Sequence, residues 1–327
     1  MILRLVLAFS LSGAWFQVGR ADLALNDDCS LDFASAADGN KLLSTRDAFV
    51  SRLSPFDRSA RLKTDKAVDE AAYLEFVGQQ VLEWTADERM RMTEAIESVR
   101  TKLATLKIQY PKKILLIKTT GLEEGNAAYT RGAAIVLPRG KLTGGRGLTS
   151  LFCHELFHVL SRHDESFRDR LYQTIGFQRC SELEFPQGLL DRRLTNPDGP
   201  LHEHRIRIRI AGESQWAIPI LYSRSPHYDP AKGGEFFDTM VFKLILVTYG
   251  PANEPTRPLL KDGEPQLVDL RNAEGYMDQV GRNTSYLIHP DEILADNFTY
   301  LITGKTNVAS PEVLERIQRI LSTRAEE

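Results

Sequence analysis

Apolar residues recur at helical spacing in several parts of the chain. Over residues 66–106 this spacing, together with the N-cap sequence Thr85-Ala-Asp-Glu, predicts two helices. Similar stretches predict four more helices, at about residues 149–162, 165–174, 290–304 and 311–321. Residues 22–59 have mixed polarity and no clear period, so the pattern leaves this segment unassigned.

Strands are predicted where apolar runs are short or alternate with polar residues. The sequence His204-Arg-Ile-Arg-Ile-Arg-Ile210 alternates strictly, which is typical of a half-exposed strand. Short, mainly apolar runs predict further strands at residues 113–118, 127–137, 216–222 and 236–249.

The order of these elements predicts an α+β fold. We expect a small mixed sheet beside the helix at residues 149–162. The chain would divide into an N-terminal, mainly helical segment at residues 22–110 and a second domain at residues 111–327, with a β-rich insertion at about residues 200–280.

Composition adds two limits to this picture. Hydrophobic residues make up 42% of the chain and charged residues 26%, which is ordinary for a globular protein. The formal net charge is -3, and no basic stripe is visible. A nucleic-acid partner is therefore not expected.

Residues 1–21 have the pattern of a signal peptide. Arg4 precedes an apolar run, and Gly19 and Ala21 are small residues at the -3 and -1 positions of a cut before Asp22. The apolar run is too short for a comfortable membrane span, although an uncleaved anchor is the alternative interpretation. We expect a secreted or periplasmic chain with no stable membrane span after cleavage.

The cysteines are Cys29, Cys153 and Cys180. An oxidising compartment permits one disulfide. Cys153 lies inside the predicted helix at residues 149–162, so Cys29–Cys180 is the more plausible bridge.

The sequence His154-Glu155-Leu156-Phe157-His158 fits the pattern H-E-x-x-H. On a helix, residues four apart lie on one face, so both imidazoles can bind one zinc ion. Glu155 can then face a water polarised by the zinc and accept its proton. The alternative is a chance match in a surface helix, because the motif is short.

A catalytic zinc usually has a third protein ligand. Glu292 and Asp296 are four residues apart on one face of a predicted helix. Glu292 could complete the ligand set, and Asp296 could accept the free ring N–H of a ligand histidine. The alternative is a solvated acidic face, but the neighbouring Ile293 and Leu294 indicate a packed helix.

The H-E-x-x-H motif followed by E-x-x-x-D on a second helix resembles the gluzincin group of zinc metallopeptidases, which have the thermolysin-like architecture. The resemblance implies a zincin-like fold, one Zn²⁺ per chain and a peptide or protein substrate. It also implies that His154, His158 and Glu292 are the zinc ligands, that Glu155 is the general base, and that Asp296 is the outer partner of His154.

In that group an edge strand upstream of the zinc-binding helix binds the substrate backbone, and Asn126-Ala127-Ala128-Tyr129 looks similar. The chain departs from the compact pattern in spacing, because 292 - 158 = 134 residues separate His158 from Glu292. Other histidines are weaker candidates. We expect His163 to be exposed, and the pair His202 and His204, spaced as His-x-His, is by itself a weak indication of a metal site.

Hydrolysis of an amide also needs a donor for the oxyanion of the tetrahedral intermediate. The sequence offers His227 and Tyr228 in the loop Ser225-Pro-His-Tyr-Asp-Pro230, or Tyr286 shortly before Glu292. Loop residues between prolines are well placed to project into a cleft.

The expected reaction is zinc-dependent hydrolysis of peptide bonds. Two alternatives stay open at this point: a zinc hydrolase that acts on a non-protein amide such as a cell-wall crosslink, and a non-catalytic binding module with the same fold. A dead site would have no chemical need for Glu155, which favours an enzyme.

Overall fold

The computed structural model describes residues 23–248 and 254–323. It confirms that the fold is mixed α+β, with helices and strands interspersed along the chain. The expected signal peptide at residues 1–21 lies outside the described residues. Within the two described stretches, no helix is both long and apolar enough to cross a membrane.

The helices include those that the apolar periodicity predicts. The α-helices of the described residues are α1 (Ala36–Leu43), α2 (Pro55–Arg61), α3 (Glu70–Gln79), α4 (Ala86–Ala104), α5 (Gly145–His163), α6 (Glu165–Thr174), α7 (Gln187–Leu190), α8 (Tyr276–Val280), α9 (Pro290–Thr303) and α10 (Pro311–Ser322). Helices α3 and α4 confirm the two helices predicted over residues 66–106, and α6, α9 and α10 lie where the sequence places them.

Many of the strands are short, which limits how well alternation can reveal them. The strands are β1 (Leu23–Ala24), β2 (Ser30–Phe33), β3 (Val81–Leu82), β4 (Lys113–Thr119), β5 (Tyr129–Arg131), β6 (Ala134–Pro138), β7 (Phe177–Arg179), β8 (His204–Ile210), β9 (Glu213–Ser223), β10 (Met240–Val247), β11 (Leu260–Lys261), β12 (Glu264–Pro265) and β13 (Leu267–Val268). The small pair β11–β12 stands apart from two larger sheets.

The first sheet is mixed, and its strand order is β1-β2-β4-β6-β5, with β3 also paired to β4. Strand β4 is parallel to β2 and β6, whereas β5 runs antiparallel to β6. Three of its strands come from the N-terminal segment, so this segment and the chain after residue 110 build one sheet. Strand β5 is an edge strand, and helix α5 contacts it.

The second sheet is antiparallel, in the order β13-β10-β9-β8-β7. It contains the part of the chain that the sequence identifies as β-rich. In β8, Ile206 and Ile208 are buried while Arg207 and Arg209 are exposed, which confirms the predicted half-exposed strand. The alternation of apolar and charged residues predicts this strand correctly because one face of the strand packs on the core and the other faces water.

Helix α5 lies at the centre of the largest hydrophobic core. Its residues Phe152, Leu156 and Phe157 are fully buried, and the same cluster contains residues of both larger sheets and of α4 and α9. Packing on several sides fixes the axis and rotation of α5. The side chains on its remaining face therefore have defined positions.

Three sequence expectations about boundaries are wrong. Residues 127–137 form a hairpin, β5 and β6, instead of one strand, because Gly132 takes a positive φ of 56° and reverses the chain. Helix α5 begins at Gly145 instead of near Thr149, because Gly144, with φ 84°, serves as its N-cap. Residues 236–239 are a 3-10 turn ahead of β10.

The expected bridge between Cys29 and Cys180 is also absent, and all three cysteines are free thiols. Cys29 is part of the central core, whereas Cys180 packs against a separate apolar cluster on the second sheet. The two thiols belong to different parts of the fold.

A buried ionic cluster ties the N-terminal segment to the rest of the chain. Arg61 at the end of α2 is fully buried, and its guanidinium donates to Asp57 at 2.6 Å and to both carboxylate oxygens of Glu124 at 2.6 and 2.8 Å. It also donates to the backbone carbonyl of Thr195, whose N–H donates to Asp57. The cluster thus anchors the loop that follows Leu194.

We expect Arg61→Leu to lower the free energy of unfolding by about 3–5 kcal/mol, because it leaves two buried carboxylates without their cation. Urea unfolding followed by circular dichroism measures this. The control is Arg46→Leu, since Arg46 pairs with Glu70 at the surface and should contribute at most about 1 kcal/mol. Equal effects of the two substitutions would show that the buried cluster has no special role.

Candidate metal centre

The H-E-x-x-H sequence lies on the part of α5 that faces a cleft. His158 is fully buried, Glu155 is 3% exposed, and the side chain of His154 is 17% exposed. The predicted helical spacing brings the two imidazoles together, with ring centroids 4.8 Å apart.

Helix α9 supplies carboxylates opposite these histidines. Its start is well defined locally: the His289 side chain caps the N–H of Asp291, and Pro290 occupies the first turn. Asp291 and Glu292 follow in the first turn, where the positive end of the helix dipole stabilises carboxylates. Helices α5 and α9 pack directly against each other.

His154 lies between two carboxylates of α9. Its Nδ1 is 3.0 Å from Oδ1 of Asp296, and its Nε2 is 3.1 Å from Oε2 of Glu292. A carboxylate can only accept, so Nδ1–H donates to Asp296. In the neutral ring the lone pair of Nε2 then faces a carboxylate oxygen. Either a proton on Nε2 or a metal ion between the two atoms would make this contact favourable.

His158 is held in the same way by a different acid. Its Nδ1 is 2.6 Å from Oδ2 of Asp291, which also accepts from Ser161 Oγ at 3.0 Å. The second carboxylate oxygen of Asp291 accepts from the Tyr172 hydroxyl at 2.7 Å. The hydrogen-bonded ring therefore directs Nε2 toward Glu292, whose Oε2 is 3.4 Å away.

The donor set fits a tetrahedral metal. His154, His158 and Glu292 each offer an atom, and these atoms lie within 4.8 Å of one another. Two of the separations, 3.1 and 3.4 Å, match the roughly 3.3 Å edge of a tetrahedron with zinc–ligand bonds of about 2.0–2.1 Å. His158 Nε2 is buried and has no hydrogen-bond partner among the described residues. A zinc ion would satisfy it.

The charges around the two rings also favour a cation. Burial lowers the pKa of His154, but its contacts with Asp296 and Glu292 outweigh burial and raise the pKa to about 10. Burial would raise the pKa of Glu292, yet the neighbouring His158 and His154 hold it well below its usual value. The carboxylates around the rings thus favour a positive charge there, which a divalent metal can supply in place of protons.

Glu155 lies beside this group without being one of its three donors. Its Oε2 is buried and has no hydrogen-bond partner among the described residues. Burial and the charge of Asp198 raise the pKa of Glu155, while His154 and His158 oppose the rise. Carboxylate atoms of Glu155 and Asp198 lie within 4.8 Å of a ring nitrogen of His158 and of each other. Glu155 is therefore placed to take up and release a proton.

A cleft of about 560 Å³ opens over these residues, and its lining includes His154, Glu155, Glu292 and Asp296. Ala127 and Ala128, just before the edge strand β5, line the same cleft.

Tyr286 lines the cleft too, and its ring stacks beside His154 with centroids 6.4 Å apart. Of the three candidates for an oxyanion donor, Tyr286 is the one that the fold brings to the histidines.

The loop candidates lie elsewhere. His227 is exposed, and Tyr228 is buried in an apolar cluster where its hydroxyl donates to the Gly234 carbonyl at 3.0 Å. Neither is among the residues that line the cleft.

The remaining histidines do not join the group. His163 is exposed, as predicted. His204 pairs with Asp169 at 2.9 Å, and the ring of His202 packs near Phe185.

Sequence reasoning missed three contributors. Asp291 is visible in the sequence as a first-turn acid, but its contact with His158 is not. Asn196 donates from Nδ2 to Oε1 of Glu292 at 2.6 Å, and Asp198 approaches Glu155. The sequence Asn196-Pro-Asp-Gly199 signals only a turn.

Comparisons with known protein families, with curated proteins and with solved structures found no match to this chain.

Proposed function

We propose that this protein is a zinc-dependent hydrolase of peptide bonds with a zincin-like architecture. The observation that carries the proposal is the convergence of His154 Nε2, His158 Nε2 and Glu292 Oε2 beside the buried carboxylate of Glu155. Three protein ligands leave a fourth position open, which is typical of catalytic zinc.

Each side chain of the site has a role in this proposal. Zinc bound here would act as a Lewis acid toward a substrate carbonyl and make a nearby water more acidic. His154, His158 and Glu292 would hold the metal, and Asp296 and Asp291 orient the two imidazoles through their Nδ1–H groups.

Glu155 would perform the proton transfers. It would accept a proton from the attacking water and then deliver it to the amine that leaves. Its burial keeps it close to the reacting atoms and away from bulk water. Tyr286, beside His154, would donate to the developing oxyanion.

The arrangement of elements supports a zincin-like interpretation. A mixed sheet ends in the edge strand β5, the motif helix α5 contacts that strand, and α9 packs on α5. The departure is the second sheet, which occupies much of the interval between the motif and Glu292. It is a feature of this chain beyond the compact thermolysin-like pattern.

Metal content and hydrolysis, measured on the same preparation, test the proposal. We expect about one zinc per chain by elemental analysis, which is the stoichiometry of a single three-ligand site. We also expect cleavage of casein or short peptides that a chelator stops and added zinc restores. Cell-wall fragments serve as a parallel substrate, and their cleavage in place of peptides would shift the assignment to another amide. Protein without stoichiometric zinc would overturn the proposal.

A further inference from the structure

A small apolar pocket adjoins the proposed catalytic cleft. Its volume is about 180 Å³, and Ala127, Ala128, Asp198 and Tyr286 line both the pocket and the cleft. The apolar wall of the pocket consists of Leu194, Leu221, Phe236, Phe237, Met240 and Ile288. A group held in this pocket would therefore lie next to the bond that reacts.

The size of the pocket suits one large apolar side chain. An apolar protein cavity of about 150 Å³ is known to hold a benzene molecule, so 180 Å³ accommodates a phenyl or branched aliphatic group. Several wall residues come from β9, β10 and the turn before β10, all parts of the β-rich segment. This segment thus contributes directly to the site.

The loop that contains Pro197 and Asp198 closes the cleft at the end near Thr130. The outer edge of β5 at Thr130 is already occupied, because Thr130 N–H donates to Oδ1 of Asp198 at 2.8 Å. Arg162 fastens the loop in place, donating to Thr130 Oγ1 at 2.8 Å and to the Pro197 carbonyl at 3.1 Å. Outward-facing residues alternate along a strand, so the next one before Thr130 is Ala128, which lines the cleft. A substrate strand beside Ala128 would therefore meet the loop and end there.

The closed end carries negative charge. Asp198 lies where pocket and cleft meet, whereas the other acid of the pocket, Glu124, is held by Arg61. Two basic residues, Lys141 and Lys305, line the cleft but not the pocket. A carboxylate at a closed end favours a terminal ammonium over a terminal carboxylate.

We infer that Asp198 and the apolar pocket form the subsite for the N-terminal residue of a peptide, so that the enzyme releases apolar residues one at a time from that end. This rests on the proposed function. Water adds across the first peptide bond: the C–N bond breaks, the hydroxyl joins the carbonyl carbon, and the proton goes to the new amine. Asp198 binds the α-ammonium, and the pocket takes the side chain.

Cleavage of matched peptides tests this inference. We expect Phe-Ala-Ala-Ala to lose its first residue at least about 10-fold faster than either its N-acetylated form or Asp-Ala-Ala-Ala, because an ammonium and an apolar side chain are both required. Mass spectrometry identifies the bond that is cut. Equal cleavage of the acetylated peptide, or cleavage at internal bonds, would overturn the inference while leaving the zinc peptidase intact.

Binding provides a readout that does not depend on turnover. In zinc-loaded Glu155→Gln protein, calorimetry should show phenylalanine amide binding at least about 10-fold more tightly than its N-acetyl form. Asp198→Asn, which keeps the acceptor for Thr130, should remove this preference, whereas the exposed Asp229→Asn should not.

Filling the pocket is the last test. Met240→Trp should weaken binding of phenylalanine amide, and Met90→Trp, at a 56% exposed position, should not. Equal binding of the free and acetylated amides would overturn the inference even if no peptide were cleaved.

Discussion

Glu155→Gln is expected to reduce peptide hydrolysis by about 10²–10⁴-fold while zinc stays bound, because the variant removes the proposed general base and leaves the three proposed ligands in place. Glutamine has nearly the same shape but cannot accept a proton from water. Steady-state kcat/KM and zinc content, measured on the same sample, check both halves of this result.

The stability of the variant gives a further expectation. The Glu155 carboxylate is buried and its Oε2 has no hydrogen-bond partner among the described residues, so a neutral amide there removes a desolvation cost. The melting temperature should therefore not fall. Glu184→Gln, at an exposed position paired only loosely with Arg257, is the matched control and should keep full activity. Wild-type activity in the Glu155 variant would show the mechanism to be wrong.

His158→Ala is expected to weaken zinc binding by at least about 100-fold and to abolish hydrolysis. Loss of an outer partner of a metal ligand typically costs 10–100-fold in affinity, and loss of the ligand itself should cost more. His158 is fully buried and its Nε2 lies 3.4 Å from Oε2 of Glu292, so its removal takes away one of the three donor atoms. Competition with a chromogenic chelator measures the affinity.

Two further variants separate metal binding from folding. Asp291→Asn keeps the imidazole and removes the carboxylate that accepts its Nδ1–H, so zinc affinity should fall about 10–100-fold. His163→Ala removes an exposed histidine from the same helix and should change neither zinc content nor activity. If His158→Ala, shown by circular dichroism to be folded, bound zinc as tightly as wild type, the assigned ligand set would be false.

Local signals explain why the core of the site could be predicted. The spacing of His154 and His158 decides that they share a helix face, whatever surrounds the helix. Helix α9 was predictable in the same way, since Pro290, the acids that follow it and Gly304 define its ends. Strand β8 was recognisable because its two faces meet different surroundings.

Other elements could not be predicted from the sequence. Some were too short to show a period, and the boundaries of others depended on the backbone conformation of a single residue. The N-terminal segment before α3 contains strands of two and four residues and helices of eight and seven, which are too short to show a period. The hairpin β5–β6 depends on the positive φ of Gly132, and the early start of α5 on that of Gly144. A glycine in a sequence permits such a conformation without requiring it.

The sequence by itself determined that two histidines and a glutamate share one face of a helix, and that two carboxylates share one face of another. Only the tertiary structure decided that these faces meet, because the meeting depends on the packing of α5 against α9 across a sequence separation of 134 (292 - 158). It also decided that Asp291 holds His158, that Asn196 and Asp198 enter the site, and that Tyr286 lies beside His154 while the loop candidates lie elsewhere. Helical spacing is a local property of a chain, whereas contacts between distant segments follow from how the whole core packs.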